Sequence, residues 1–309
     1  MIICCGEALI DMLPRQLADR TDVFLPVPGG AIFNTAIALG RLGEETGFMS
    51  GISTDMFGEQ LIEALEGSNV DPSFCIRSDQ PTTLAFVKLT GGHATYSFFD
   101  ENSAVRLISA GDLPEIPDTI EAMHFGAISL IPEPCGTAFE ALMRKNHEKT
   151  VISLDPNIRP GFITDATAHR ERINRMIAMA DIVKVSDEDI DWIMDGGDSK
   201  AAIDQWLADG VSLTLLTKGA DGVTAFTASG EIHQPAEKVD VIDTVGAGDT
   251  FNAGLLAGLR GALILNKPTL KRADPVSIQP ALTLASRVAA HVVGQAGANP
   301  PWRHEIEAS

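Results

Sequence analysis

The chain is poor in positive charge. Its 309 residues hold 23 lysines and arginines against 42 aspartates and glutamates, a net charge of −19 with histidine neutral. No run of Lys or Arg occurs, so a nucleic-acid partner, whose phosphates are held by clustered cations, is not expected. Long apolar runs are missing as well. Stretches such as 128–132 and 213–216 fall far short of the roughly 20 residues a spanning helix needs, so no membrane partner is expected either. The first residues, MIICCGEALIDML, lack a basic segment and carry Glu7 and Asp11 where a secretory signal would be apolar or small. A cytoplasmic location follows as an expectation. Cysteine is scarce: of four, Cys4 and Cys5 are adjacent, while Cys75 and Cys135 stand alone. No CxxC or zinc spacing arises, and buried, reduced thiols are expected.

What is present is the composition of a folded protein, 45% hydrophobic and 21% charged. The length allows two domains or one large α/β domain with an added element. Short apolar runs at 1–8, 46–52, 123–128, 151–154, 182–185 and 213–217 read as strands. Segments of helical period separate them, notably 31–42 and 57–65. This rhythm predicts a doubly wound α/β fold, a mostly parallel sheet with helices on both faces. One segment departs from it. Residues 82–90 and 94–99 are β-rich and flank Gly91-Gly92, a two-residue hairpin signal. Such a hairpin cannot cover a parallel sheet, so it is expected to project as a small β lid over 82–99, with apolar faces that invite a homodimer.

The strongest chemical motif is Asp243-Thr-Val-Gly246-Ala247-Gly248-Asp249-Thr-Phe-Asn-Ala253-Gly254. Gly246, Ala247 and Gly248 are small enough for backbone N–H groups to converge on a ligand. The helix that follows adds the positive end of its dipole, which makes an anion cradle. Asp249 at its mouth is either a helix cap or a general base. Ala253 and Gly254 are expected to let the helix pack close to the sheet. The run lacks the third glycine of a dinucleotide fingerprint, and the chain contains no P-loop and no protein-kinase loops.

Gly29-Gly30-Ala31-Ile32-Phe33-Asn34-Thr35-Ala36 with Gly40 and Gly43, the 243–254 run, Gly6-Glu7-Ala8-Leu9-Ile10-Asp11 and Asp155-Pro156-Asn157-Ile158-Arg159 occur in that family's order. Together they resemble the signatures of the ribokinase-like (PfkB) carbohydrate kinases, and within that family the sequence looks most like the bacterial fructokinases. The resemblance implies a ribokinase-like fold and ATP-dependent phosphorylation of a sugar hydroxyl, D-fructose first. It implies Asp249 as base beside the Gly246, Ala247 and Gly248 cradle, and sugar binding by Asp11, Gly29, Gly30, Asn34 and Phe98. Arg159 would sit near both substrate and transferred phosphate. Thr217, Gly219 and Gly222 match the nucleotide loop.

Two departures stand out. Ser186-Asp187-Glu188-Asp189 replaces the family's Asn-x-x-Glu. Ser186 and Asp189 form either a capping box or a nucleotide contact with Mg²⁺ reached through water. For K⁺ the resemblance points to Asp243 and the 297–301 loop, where a ligating hydroxyl is missing. The alternatives are a 2-keto-3-deoxygluconate kinase and a non-catalytic sugar sensor of the same fold. The first is disfavoured by Asp100, which follows Phe98-Phe99 where ketodeoxygluconate kinases carry an arginine; its charge would repel a carboxylate while accepting a neutral sugar's hydroxyl. The second is disfavoured by retention of Asp249.

Overall fold

A computed structural model describes residues 1–90 and 93–307; Gly91-Gly92, read from sequence as a hairpin signal, lies outside the described residues. The strands are β1 (Ile2–Cys5), β2 (Leu9–Gln16), β3 (Asp22–Gly29), β4 (Thr46–Met49), β5 (Gly51–Ser53), β6 (Val70–Asp71), β7 (Ile76–Ser78), β8 (Leu84–Thr90), β9 (His93–Phe99), β10 (Ala122–Gly126), β11 (Val151–Asp155), β12 (Ile182–Ser186), β13 (Leu213–Thr217), β14 (Val223–Thr227) and β15 (Gly230–Gln234). The helices are α1 (Ala31–Arg41), α2 (Met56–Glu66), α3 (Cys135–Asn146), α4 (Ala166–Ile177), α5 (Asp187–Met194), α6 (Ser199–Asp209), α7 (Ala247–Gly261), α8 (Lys267–Leu270), α9 (Pro275–Val293) and α10 (Arg303–Glu307).

Nine strands form the central sheet in the order β15-β14-β13-β12-β11-β10-β1-β4-β6. All pairs are parallel except those of β14 with its two neighbours. Both faces are covered, as a parallel sheet requires. One layer buries Ile2, Cys4, Ile182 and Leu213 against α1, α7 and α9. The other buries Ile3, Met123, Ile152 and Val183 against α3 to α6. Strands β1, β4, β10, β11, β12 and β13 read correctly from sequence. The single strand expected over 46–52 is two, β4 and β5, and β5 leaves the main sheet to pair with β7.

The projecting element is larger than the expected hairpin. Strands β8 and β9 pair antiparallel, Leu84 opposite Phe99, and are joined by β2 and β3 in a four-stranded sheet ordered β3-β2-β8-β9. Strands β2 and β3 carry Pro14, Pro26 and Pro28, which lack the N–H a ladder needs and so mask a strand in sequence. Helix α7 also differs from expectation. Its Gly254 and Gly258 meet α9, where a Cβ would lie 2.7 Å from Ala285 Cα and 2.5 Å from Ala281 Cα. Gly254 thus serves helix–helix contact with α9 and not the expected packing against the sheet. Cys4, Cys5 and Cys135 are buried free thiols, and Cys75 is half-buried.

Candidate active site

The functional side chains gather at the carboxyl ends of the parallel strands. The order of the sheet reverses between β1 and β10, because the chain leaves β1 toward β4 and later returns to the opposite side. Ligands bind in α/β sheets at such a switch point. Here Glu7, just after β1, bridges the crevice. Its Oε1 accepts from Ala31 N at 2.8 Å and Ile32 N at 3.4 Å, and its Oε2 accepts from Ser129 N at 3.3 Å. Gly30, the residue preceding α1, has φ +110° and offers no side-chain cap, so Glu7 caps that helix from a distance. Burial pushes the Glu7 carboxyl up to about 7 against these backbone donors, and the nearby Asp249 charge adds to the rise. Sequence reasoning placed Glu7 in a motif without giving it a role.

Helix α1 carries Asn34 to Asp249. Asn34 Nδ2 donates to Asp249 Oδ2 at 2.9 Å, and Thr35 Oγ1 donates to the Asp249 carbonyl at 3.1 Å. Asp249 Oδ1 accepts from no protein donor among the described residues. Burial pushes the Asp249 carboxyl up to about 6; Asn34's hydrogen bond and the charges of Lys184 and Arg159 oppose that rise, and Asp155 adds to it. The carboxylate is thus held at one oxygen and available at the other.

Gly246 precedes α7 in the left-handed region, φ +79°, and makes no side-chain cap. A Cβ there would lie 2.7 Å from Ala298 Cβ, so a side chain is resisted by both conformation and space. Ala247 N donates to Thr244 O at 3.3 Å, while the N–H groups of Gly248 and Asp249 find no protein acceptor among the described residues. Those two amides, and not the whole 246–249 run, are the available donors of the cradle. Below them sits a buried cation absent from the sequence reading. Lys184 Nζ pairs with Asp155 Oδ2 at 3.0 Å and lies 3.2 Å from where a Cβ on Gly248 would be. Asn252 Nδ2 donates to the same Asp155 oxygen at 2.7 Å. Burial works against the Lys184 charge, but Asp155, Asp189 and Asp249 hold its pKa above the ordinary lysine value.

Among the residues expected to hold the sugar, Asp11 reaches diagonally across the β2–β3 pair to Gly29, where any Cβ would collide with its carboxylate. Burial pushes Asp11 up to about 6. Phe98 of the lid meets Phe162 edge to face, centroids 4.2 Å apart. Arg159 is exposed at the mouth, with NH1 donating to the Ile158 carbonyl at 3.0 Å. Asp100 departs from expectation because it is not a lone negative charge: Arg106 NH1 pairs with its Oδ2 at 2.9 Å. The case against a carboxylated sugar therefore passes from Asp100 alone to the wall it belongs to. That wall, of a cavity of about 550 Å³, includes Glu7, Asp100, Glu101, Glu133 and Asp165 against Arg106 and Arg172.

On the nucleotide side, Ser186 and Thr217 are register partners at the ends of β12 and β13. The turn after β13 has Gly219 and Gly222 at positive φ, +50° and +91°. Ser186 and Asp189 form a capping box: Asp189 N donates to Ser186 Oγ, and Ser186 N to Asp189 Oδ2, both at 3.0 Å. Asp189 Oδ1 accepts Ile158 N at 2.7 Å. Asp243 is likewise spent, accepting Val245 N at 3.0 Å and Gly297 N at 2.9 Å. Those bonds make Asp243 a tie between its own loop and the 297–301 loop, the two segments that the resemblance links to K⁺.

A buried carboxylate with one open oxygen beside unpartnered helix-start amides is what similarity to known proteins then places in context. The model for the pfkB family of carbohydrate kinases matches residues 1–305. The chain belongs to the pfkB carbohydrate kinase family. It is 54% identical over 279 residues to a fructokinase of Rhizobium leguminosarum bv. trifolii, covering 90% of this chain and 86% of that protein. Among solved structures, a fructokinase with bound ATP from Xylella fastidiosa superposes with a TM-score of 0.91 at 29% identity, covering 99% of this chain and 97% of that one. An aminoimidazole riboside kinase from Salmonella enterica, complexed with aminoimidazole riboside and an ATP analogue, gives 0.83 at 28% identity over 99% and 98%. The ribokinase-like fold expected from the sequence is the fold of this family. No helix among the described residues is long and apolar enough to cross a membrane.

Proposed function

We propose that this kinase transfers the terminal phosphoryl group of ATP to a hydroxyl of D-fructose, with Asp249 as general base. The observation that carries the mechanism is the Asp249 carboxylate, fixed at Oδ2 by Asn34 and open at Oδ1, on the turn whose Gly248 and Asp249 amides have no protein acceptor among the described residues. As the sugar oxygen attacks phosphorus, its proton passes to Asp249 Oδ1, and the bond from phosphorus to the ADP oxygen breaks. Charge on the transferring group meets the Gly248 and Asp249 N–H groups, the α7 dipole, Arg159 and, from beneath, Lys184. Asp11, Gly29, Gly30, Asn34 and Phe98 hold the sugar. Ser186, Thr217, Gly219 and Gly222 border the nucleotide.

Among the described residues, no three His, Cys, Asp or Glu side chains cluster as a metal cage. That suits Mg²⁺, which keeps its waters and enters on the nucleotide phosphates. Asp189, its oxygens occupied by backbone amides, would reach the ion only through water. When bound, the ion neutralises phosphate charge. The four-stranded lid excludes water from the sugar, which protects ATP from wasteful hydrolysis. Its outer face carries Phe24, Phe86 and Phe99 in edge contact, with Phe24 49% and Phe99 59% exposed, and is read as the dimer face toward a second copy. A cytoplasmic location fits the four free thiols.

The test is sugar-dependent ADP release across a panel. D-fructose is expected to give the highest kcat/KM, exceeding 2-keto-3-deoxygluconate by well over tenfold, since the acidic wall repels a carboxylate. Equal or reversed values would overturn the substrate, and no sugar-dependent release would overturn the kinase mechanism.

A further inference from the structure

The cavity under the lid has a feature that the phosphoryl-transfer chemistry leaves unused. Two guanidinium groups line it, and they are differently committed. Arg172 is mostly committed to structure: NH1 donates to Leu130 O at 2.9 Å and NH2 to Glu133 and to Thr137 Oγ1 at 3.2 Å, while Nε is buried 3.5 Å from Glu140 Oε2 without a hydrogen bond among the described residues. Arg106 makes, among the described residues, one side-chain bond, NH1 to Asp100 Oδ2. Its NH2 and Nε donors have no protein acceptor among the described residues. A guanidinium carries five N–H donors, so most of those on Arg106 remain for a ligand.

Asp100 does two things for this group. It holds the fork in place, and it keeps Oδ1 as an acceptor beside the Arg106 donors. A paired donor and acceptor side by side complement neighbouring hydroxyls, each of which both donates and accepts. The wall around the pair carries more carboxyl groups than guanidinium groups, which favours a neutral polyol over an anionic substituent as the partner. Glu7 joins the two parts of the site, since it caps α1 beside Gly30 and also lines this cavity.

We infer that Arg106, positioned by Asp100, is a specificity-determining residue that hydrogen-bonds the sugar's hydroxyls at the end remote from Asp249. The inference rests on the sugar-kinase reading above. It is tested in the full chain by titration calorimetry with D-fructose and by steady-state kinetics. Arg106→Ala is expected to weaken fructose binding and raise its KM by about tenfold or more, the usual scale for losing hydrogen bonds to a charged group. The loss should fall on KM for sugar far more than on kcat, and KM for ATP should hold. Arg106→Lys recovers part of the loss, and Asp100→Asn produces a smaller version of it. Discrimination between D-fructose and its C-4 epimer should shrink in Arg106→Ala, a change that a purely structural defect would not produce.

Fructose affinity within twofold of wild type in folded Arg106→Ala overturns the inference. If that variant does not fold, unchanged affinity in both Arg106→Lys and Asp100→Asn overturns it. A wild-type protein that binds no fructose overturns the substrate and this inference together. Turnover that survives in Asp249→Asn while Arg106→Ala loses affinity overturns only the base.

Discussion

Asp189 and Asp249 occupy the same place in two helices, the third residue of α5 and of α7, and both are buried. Helix α5 starts from Ser186, extended at φ −81°, whose hydroxyl accepts the Asp189 amide while the Asp189 carboxylate returns to the Ser186 amide. The second Asp189 oxygen takes the amide of Ile158. Helix α7 starts from Gly246, left-handed and without a side chain, so nothing caps the amides of Gly248 and Asp249. The Asp249 carboxylate receives a single side-chain donor. An aspartate at this position becomes a cap where the backbone consumes its oxygens; where a glycine leaves the helix start bare and burial raises its proton affinity, it keeps the free oxygen that the proposed base requires.

The largest separation should appear in turnover. Asp249→Asn is expected to lower kcat by roughly 10²–10⁴, the usual range for losing a general base, whereas Asp189→Asn should cost less than about tenfold. In the wild type, kcat should fall as pH drops through about 6, where Asp249 gains its proton. Asp189→Asn should keep that acid limb in place, and a limb that moves with Asp189 instead would erase the distinction.

The same two substitutions should move stability in opposite directions. Asp249 has its folded pKa raised from 3.8 to about 6, so its ionised form opposes folding above pH 6, and that cost vanishes as pH falls below 4. Asp249→Asn should therefore stabilise the protein at pH 8 by on the order of 2 kcal/mol, a Tm gain of a few degrees, with the gain disappearing near pH 4. Asp189→Asn strands a buried backbone amide and should destabilise by about 1–3 kcal/mol. Thermal melts at pH 8 and pH 4 read both signs, and a destabilised Asp249→Asn at pH 8 would refute the electrostatic account.

The smallest effect concerns the cap alone. Ser186→Ala should cost about 1 kcal/mol in urea unfolding, while Ser186→Asn should stay within about 0.5 kcal/mol, because Asn caps as well as Ser. Equal losses in both would mean that Ser186 is not held as a cap.

The sheet core was legible because β1, β10, β11, β12 and β13 are near-continuous apolar runs, and α1 stops at Arg41, two residues before the left-handed Gly43 that marks its end in sequence. Half of the lid was not, because proline in β2 and β3 removes the alternation by which strands are recognised. The anion cradle and Asp249 could be read from contiguous small residues. Lys184 could not, since a cation inside an apolar strand shows its purpose only once Asp155 and Gly248 are brought to it from other elements. Arg106 was hidden for the same reason: six residues beyond Asp100, it looks like an ordinary surface charge until the chain folds back to pair them.

Strand β3 forms one edge of the lid sheet, and Pro26 and Pro28 lie within it. An edge strand offers its outward N–H groups to any passing strand, and proline withdraws them. Sheet continuation through this margin is therefore blocked, so two lids meeting here cannot zip into an endless ribbon. The Phe24, Phe86 and Phe99 ridge lies on the face of the sheet opposite Phe98, so whatever covers the ridge leaves the Phe98 side turned toward Phe162.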